Sequence, residues 1–85
     1  MRVLIPSALH SYTGKPWVQA EGSTVGAVLD DLERQYPGIR FRMIDEQDRM
    51  RANMRFFVDG AATFDLARPL GPTESLQIVQ ALSGG

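Results

Sequence analysis

One long amphipathic segment, residues 24–36, constrains the fold of this 85-residue chain more than any other feature. Its apolar residues recur at helical spacing and form one stripe: Val25, Val28, Leu29, Leu32 and Tyr36. Its charged residues fall on the other face: Asp30, Asp31, Glu33 and Arg34. Thr24, or failing that Ser23, is a good N-cap, and Pro37 and Gly38 predict the end of the helix. The stripe must be covered, and a sheet is the only partner that the rest of the chain can supply.

The first twenty residues predict a hairpin. "RVLI" is typical of a strand, and Pro6 ends it because proline cannot donate to a ladder. "SYTGK" supplies turn residues, with Gly14 free to take a positive φ. "KPWVQA" predicts a second strand that pairs back onto the first, at the edge of the sheet because of Pro16. Trp17 is expected to pack on this edge strand.

The second half of the chain predicts a short helix and three strands. We expect one helical turn near Ile39–Met43, followed by a polar loop. "MRFFVDGAATF" indicates a second hairpin, with its turn at Asp59-Gly60. "SLQIVQAL" predicts the last strand. The predicted inward residues are Val3, Ile5, Val25, Val28, Leu29, Leu32, Met54, Phe56, Val58, Leu76 and Ile78. The chain is therefore expected to be one α+β domain over residues 1–85, with a main helix on one face of a mixed sheet of four to five strands.

Charge and composition exclude several classes of protein. Nine Lys and Arg residues against ten Asp and Glu leave a net charge of −1, which offers no electrostatic footprint for nucleic acid or an anionic membrane. No apolar run approaches the roughly 20 residues of a membrane span. The absence of cysteine excludes disulfides, thiolate metal sites and a cysteine nucleophile. His10 has no second ligand at metal spacing, so no metal site is expected. The composition fits a cytoplasmic protein.

Segments spread over nearly the whole chain resemble a known family. They are "VLIP" at the start, "GSTVGAVLDDLERQYPGI" at the helix, "RMIDE" at 42–46, "FFVDG" at 56–60 and "LQIVQALSGG" at the end. In this order and spacing, the chain resembles the MoaD/ThiS group of ubiquitin-like sulfur carriers, which have the β-grasp fold. The long segment from "YPGI" to "RMIDE" resembles the carriers of cysteine synthesis more than the shorter thiamine carriers.

The resemblance implies a function at the C-terminus. The Gly85 carboxylate would be adenylated by an ATP-using adenylyltransferase that resembles the ubiquitin-activating enzymes. A sulfur donor protein or sulfide would then form a thiocarboxylate, and a sulfur-accepting enzyme would take the sulfur. The chain would be a co-substrate rather than an enzyme, with no bound cofactor. It would serve molybdopterin synthesis, as the small subunit of a synthase, or the synthesis of cysteine, thiamine or another thio-metabolite.

Residues 82–85 are expected to form a flexible tail that enters a narrow cleft of the partner. A Cβ on Gly84 or Gly85 would widen the tail and restrict its backbone. The body of the domain must then contribute affinity, because ordering a tail costs entropy.

Strand parity predicts where the body would bind. Leu4, Phe57 and Val79 have the parity opposite to the inward residues. The topology implied by the resemblance places them side by side on the exposed face of the sheet, as a docking patch. Leu82 and Ser83 would extend this patch, and Arg55 would border it.

Two alternatives stay open at this point. A ubiquitin-like modifier would use the same adenylated Gly85 to form an isopeptide bond with a target lysine. A β-grasp interaction module would carry an inert tail.

Overall fold

The computed structural model describes residues 1–81, which form a mixed sheet of five strands with helices on one face. The strands are β1 (Arg2–Leu4), β2 (Trp17–Gln19), β3 (Met54–Val58), β4 (Ala61–Thr63) and β5 (Leu76–Gln80). A 3₁₀ helix (Ser7–Leu9) leads into α1 (His10–Thr13), and the other helices are α2 (Val25–Gln35) and α3 (Ile39–Met43). The strand order is β2-β1-β5-β3-β4. Among the strands of residues 1–81, β1 and β5 alone pair in parallel, so the predicted mixed α+β sheet is confirmed.

The N-terminal hairpin has the predicted strands but a different connection. β2 is an edge strand antiparallel to β1, with Val3 opposite Val18 and Leu4 opposite Trp17. The connection is helical rather than a simple turn, because the 3₁₀ helix buries Leu9 in the core. Burial of this side chain outweighs the turn preference of the polar residues beside it. Gly14 ends α1 with φ of 72°, as its freedom at positive φ predicts.

Helix α2 begins as its sequence predicts. The Thr24 side-chain oxygen accepts a hydrogen bond from the backbone N–H of Ala27 at 3.1 Å, which satisfies a donor that the helix leaves free. The predicted stripe faces the sheet: Val25, Val28, Leu29 and Leu32 are fully buried, and Tyr36 packs at the edge of the core.

Asp31 is an exception to the predicted charged face of α2, because the residue is only 8% exposed. Its carboxylate accepts hydrogen bonds from the backbone N–H of Glu21 at 2.9 Å and from Gln35 at 3.0 Å, and it pairs with Arg34. The backbone donor at Glu21, followed by Gln35 and Arg34, lowers the pKa of this carboxyl against the opposing effect of burial. Asp31 therefore fastens the segment before α2 to the helix.

The core contains every residue that the sequence placed inward. It also contains residues that were not predicted there: Leu9, Val18, Ala20, Ile39, Met43 and Ile44. Three of these come from α3 and its end, so this short helix, which has the predicted bounds, closes one end of the core. Within the described residues, none of the helices has the length and apolar character needed to cross a membrane.

Strand β5 lies at the centre of the sheet, between β1 and β3. The predicted turn between β3 and β4 is present, with φ of 48° at Asp59 and 87° at Gly60. Asp59 also ties this turn to the start of β5, because its carboxylate accepts from the backbone N–H of Ser75 at 2.9 Å.

Candidate functional site

The predicted reactive residues, Gly84 and Gly85, and the predicted contact residues Leu82 and Ser83 lie outside the described residues. The strand that leads to them, β5, is held in the sheet up to its last residue. Gln80, the last residue of β5, is opposite Met54, and the N–H of Ala81 donates to the carbonyl of Asn53 at 2.7 Å. The chain thus reaches the end of the central strand while it is still hydrogen-bonded to β3.

The three residues of the predicted docking patch lie on the face of the sheet opposite α2. Their neighbours in sequence, Val3, Phe56, Val58 and Ile78, are buried in the core. Leu4 and Phe57 are partly buried, and Val79 is 42% exposed. The prediction from strand parity therefore places them on the correct face.

The register separates these three residues more than parity predicts. Gln77 of β5 lies opposite both Leu4 on β1 and Phe57 on β3, while Val79 lies opposite Arg55. Leu4, Phe57 and Val79 therefore surround a glutamine and do not form one continuous row. The Gln77 amide leans towards the hairpin turn, where its oxygen accepts from Gly60 and its nitrogen donates to Ser75.

Trp17, which was not among the predicted contact residues, belongs to the same open face. It lies opposite Leu4 on the edge strand, and the Arg2 guanidinium is 4.2 Å from the centre of its ring. Such a contact between a cation and an aromatic face is attractive and holds the indole against the sheet. The alternation of side chains along the strand was the signal that could have placed Trp17 outward, because Trp17 and the buried Val18 must point to opposite faces.

An open groove of about 310 Å³ runs beside Val79 on this face. Leu4, Pro6 and Pro16 give it apolar walls, and Gln80 lies at its end. His10 also lines the groove, where its Nε2–H donates to the carbonyl of Ile5 at 2.9 Å. The histidine therefore ties the start of α1 to the segment that follows β1.

A second, larger groove of about 610 Å³ lies on the helical side of the chain end. Tyr12, Phe41, Arg42 and Arg51 form much of its wall, and Gln80 lines it as well. Nothing in the sequence pattern pointed to this groove, since α1, α3 and the loop before β3 meet only in the folded chain. Gln80 thus stands between two grooves, one apolar and one basic.

No group of three or more His, Cys, Asp or Glu side chains that could hold a metal ion occurs in residues 1–81. What the described body offers near the chain end is shape, apolar surface and positive charge.

Comparison with known proteins identifies the family. The model of the ThiS family matches residues 3–85. The sulfur carrier protein CysO of Mycobacterium tuberculosis is 34% identical over 89 residues, which cover 98% of this chain and 96% of the relative. The similarity therefore runs through both proteins almost from end to end.

Solved structures agree with this result. A chain in the Amycolatopsis orientalis BexX/CysO complex has a TM-score of 0.89 at 28% identity, over 99% of this chain and 98% of that chain. Mycobacterium tuberculosis CysO has a TM-score of 0.88 at 31% identity, over 95% of this chain and 98% of that one. The small archaeal modifier protein 1 of Methanosarcina acetivorans, with a TM-score of 0.82 at 20% identity over 99% and 94% of the two chains, supports the fold alone.

These findings confirm the resemblance drawn from the sequence. The sequence predicted a small carrier rather than an enzyme, and the CysO relatives are of this class. The β-grasp arrangement of the sheet and α2 is common to the structural matches. The chain belongs to the ThiS family of ubiquitin-like proteins.

Proposed function

We propose that this protein is a sulfur carrier whose Gly85 carboxylate is converted to a thiocarboxylate. The observation that carries the proposal is the end-to-end similarity to the sulfur carrier CysO, together with a family match that extends to Gly85. Among the pathways that the sequence leaves open, this similarity favours cysteine synthesis over molybdopterin synthesis.

The chemistry needs an activating partner. A carboxylate is a poor acyl donor, so its oxygen attacks the α-phosphorus of ATP, pyrophosphate leaves, and an acyl adenylate forms on the partner. Sulfide, free or released by a donor protein, then attacks the carbonyl carbon of Gly85, AMP leaves, and the thiocarboxylate remains. A cleft that excludes water protects the adenylate from hydrolysis. ATP is a substrate of the partner in this scheme, and the carrier needs no cofactor of its own.

The body of the domain presents the terminus to such a cleft. Residues 82–85 span about 13–14 Å when extended, which is enough to enter a cleft while β5 stays in the sheet. Gly84 and Gly85 keep the entering segment narrow because neither has a Cβ. The hydrogen bond from Ala81 to Asn53 fixes the point from which this reach is measured.

The open face supplies the affinity in this proposal. Leu4, Phe57, Val79 and Trp17 dock on the partner, with Arg55 at the border and Leu82 and Ser83 at the mouth of the cleft. The adenylyltransferase and the sulfur-accepting enzyme use this same face in turn. A complex of a CysO relative with another protein, BexX, supports a carrier that works by binding partners.

Mass spectrometry of the intact protein from its own cell tests the proposal. A sulfur carrier gains about 16 Da when sulfur replaces one terminal oxygen, a covalent change that leaves the fold intact. A protein joined through Gly85 to target lysines would instead indicate the modifier. A mass that never changes under sulfur demand would indicate the module with an inert tail.

A variant with one alanine added after Gly85 tests the terminus itself. We expect no thiocarboxylate on this variant, because the reacting carbonyl moves by about 3.3–3.6 Å and the added residue carries a Cβ. Gly60→Asn is the control, since Gly60 is exposed in a distant turn and asparagine tolerates positive φ. Normal sulfur loading of the extended chain would contradict the proposed function.

A further inference from the structure

The basic groove beside the chain end has charged groups that the proposed function does not use. Arg42 donates from Nε to the Tyr12 hydroxyl at 2.9 Å, and Arg51 donates from Nε to the carbonyl of Phe41 at 2.7 Å. The Arg51 guanidinium also lies 4.6 Å from the centre of the Phe41 ring. Both side chains are therefore held through Nε, on the side nearest the backbone.

In the described part of the chain, the outer N–H groups of these two guanidinium groups donate no hydrogen bond, although the positive charge of Arg51 contributes to the lowered pKa of Asp45. Within residues 1–81, Arg42 and Arg51 form none of the ion pairs, whereas Arg34, Arg40, Arg49 and Arg68 all do. None of the described residues that line the groove is acidic, and Asn53 and Gln80 add amide groups to its wall. A fork of fixed N–H donors matches the geometry of a carboxylate, which can accept two parallel hydrogen bonds.

The groove lies where a partner that receives the tail must pass. Gln80 lines both this groove and the apolar groove of the open face, and Ala81 is tied to Asn53 in the basic groove's wall. A cleft that encloses the residues after Ala81 therefore contacts both sides of the chain end. One side of that contact is apolar and the other is basic.

We propose that the groove between Arg42 and Arg51 binds an acidic segment of the protein that receives the tail, through carboxylates that pair with both guanidinium groups. This inference deepens the proposed function and rests on it. The apolar face supplies contact area, while the two arginines fix which way round the partner approaches, because opposite charges orient an encounter more than they strengthen it. A partner without carboxylates at this position would desolvate two arginines and form no ion pair that offsets the cost.

A direct binding experiment tests the groove without the partner. An acetylated hexaglutamate peptide is titrated into the full-length ¹⁵N-labelled protein, with hexaglutamine as the neutral comparison. We expect hexaglutamate alone to shift the amides of Phe41, Arg42, Arg51 and Asn53, and the Arg42→Gln/Arg51→Gln double variant to lose these shifts. Shifts spread evenly over all arginines, or equal shifts with inorganic phosphate, would overturn the proposal of an acidic segment.

A kinetic experiment separates this proposal from the proposed function. The rate of thiocarboxylate formation is measured against carrier concentration in an ATP-supplied extract of the cell of origin. The double variant should raise KM about tenfold with kcat unchanged. Its KM should also depend less on salt concentration, because salt screens the charges that the variant has lost. Arg34→Gln/Arg49→Gln is the matched control, since it removes the same number of positive charges as the groove variant. Both side chains are exposed and lie outside the groove.

Two further results make the outcome decisive. Arg42→Lys/Arg51→Lys keeps the two positive charges but loses the planar N–H donors of the guanidinium groups. It should restore the salt dependence of KM, while KM itself stays above the value of the unaltered protein. Equal KM values for the groove variant and its control would overturn the acidic-segment proposal alone. Failure of the unaltered protein to form a thiocarboxylate would instead contradict the proposed function, and the peptide titration would still show whether the groove binds carboxylates.

Discussion

Val79→Asp is the sharpest single test of the open face as a docking surface. The change places a carboxylate on the central strand, one residue before Gln80, in the middle of the proposed contact. It should leave the fold intact, because Val79 is 42% exposed and lies opposite Arg55 across the β5–β3 pair. An opposite-charge pair across two strands contributes about 0.2–1 kcal/mol, which offsets the lower strand preference of aspartate.

The structure sets the size of the expected effect on docking. Complete burial of a valine side chain is worth about 1.5–3 kcal/mol, so covering the exposed 42% is worth about 0.6–1.3 kcal/mol. Loss of this contact alone corresponds to a rise in KM of about three- to ninefold. Aspartate also brings a charge that the contact would desolvate, so we expect a total rise of at least about tenfold.

The assay is the rate of adenylation of the carrier, followed as pyrophosphate release at increasing carrier concentration. Phe64→Asp is the control, because it also places an acid on exposed apolar surface, at a residue that is 75% exposed and outside both grooves. Urea denaturation of both variants checks that they fold. If Val79→Asp and Phe64→Asp had the same KM as the unaltered protein, the docking argument would be refuted.

Three further predictions concern the scaffold that holds the chain end. Thr24→Ala should lower the free energy of unfolding by about 1 kcal/mol in urea, because the N–H of Ala27 loses its cap, and Thr24→Ser should restore most of it. Asp31 has a lowered pKa, so its contribution is full above the ordinary carboxyl pKa and is lost as the pH falls through the lower, folded value. Stability of the unaltered protein should therefore fall below about pH 4 more steeply than that of Asp31→Asn, in denaturation series from pH 7 to 2. Gly22→Ala should lower the melting temperature, because its Cβ would lie 2.6 Å from the backbone nitrogen of Val28. In Gly60→Ala the added Cβ meets no atom within 4 Å, so this variant measures the cost of positive φ alone. An equal fall in melting temperature for Gly22→Ala and Gly60→Ala would contradict the steric argument.

The sequence was sufficient for the parts of the fold that depend on local pattern. The stripe of α2, the Thr24 cap and the Asp59-Gly60 turn each follow from residues close together in the chain. The position of the last strand beside the first came from the resemblance and is confirmed by the parallel β1–β5 pairing. Periodicity alone gives no information on which strands are neighbours.

The errors share a physical cause, which is contact between distant residues. Asp31 follows the spacing of an exposed residue, yet the backbone at Glu21 folds back to donate to it. The connection after β1 contains turn residues, yet the burial of Leu9 makes it helical. Parity assigned Leu4 and Phe57 to the correct face, but only the register reveals that Gln77 separates them. The basic groove requires three separate segments to meet, so no linear pattern could indicate it.

The central place of β5 has a consequence for synthesis of the protein on the ribosome. In the described sheet, β5 is the strand that joins the β1–β2 hairpin to the β3–β4 hairpin, and an isolated two-stranded hairpin is marginal in water. The nascent polypeptide can therefore complete its sheet only after its final segment has emerged. A product that terminated before Leu76 would lack the strand that joins the two hairpins, and it would be left open to proteases.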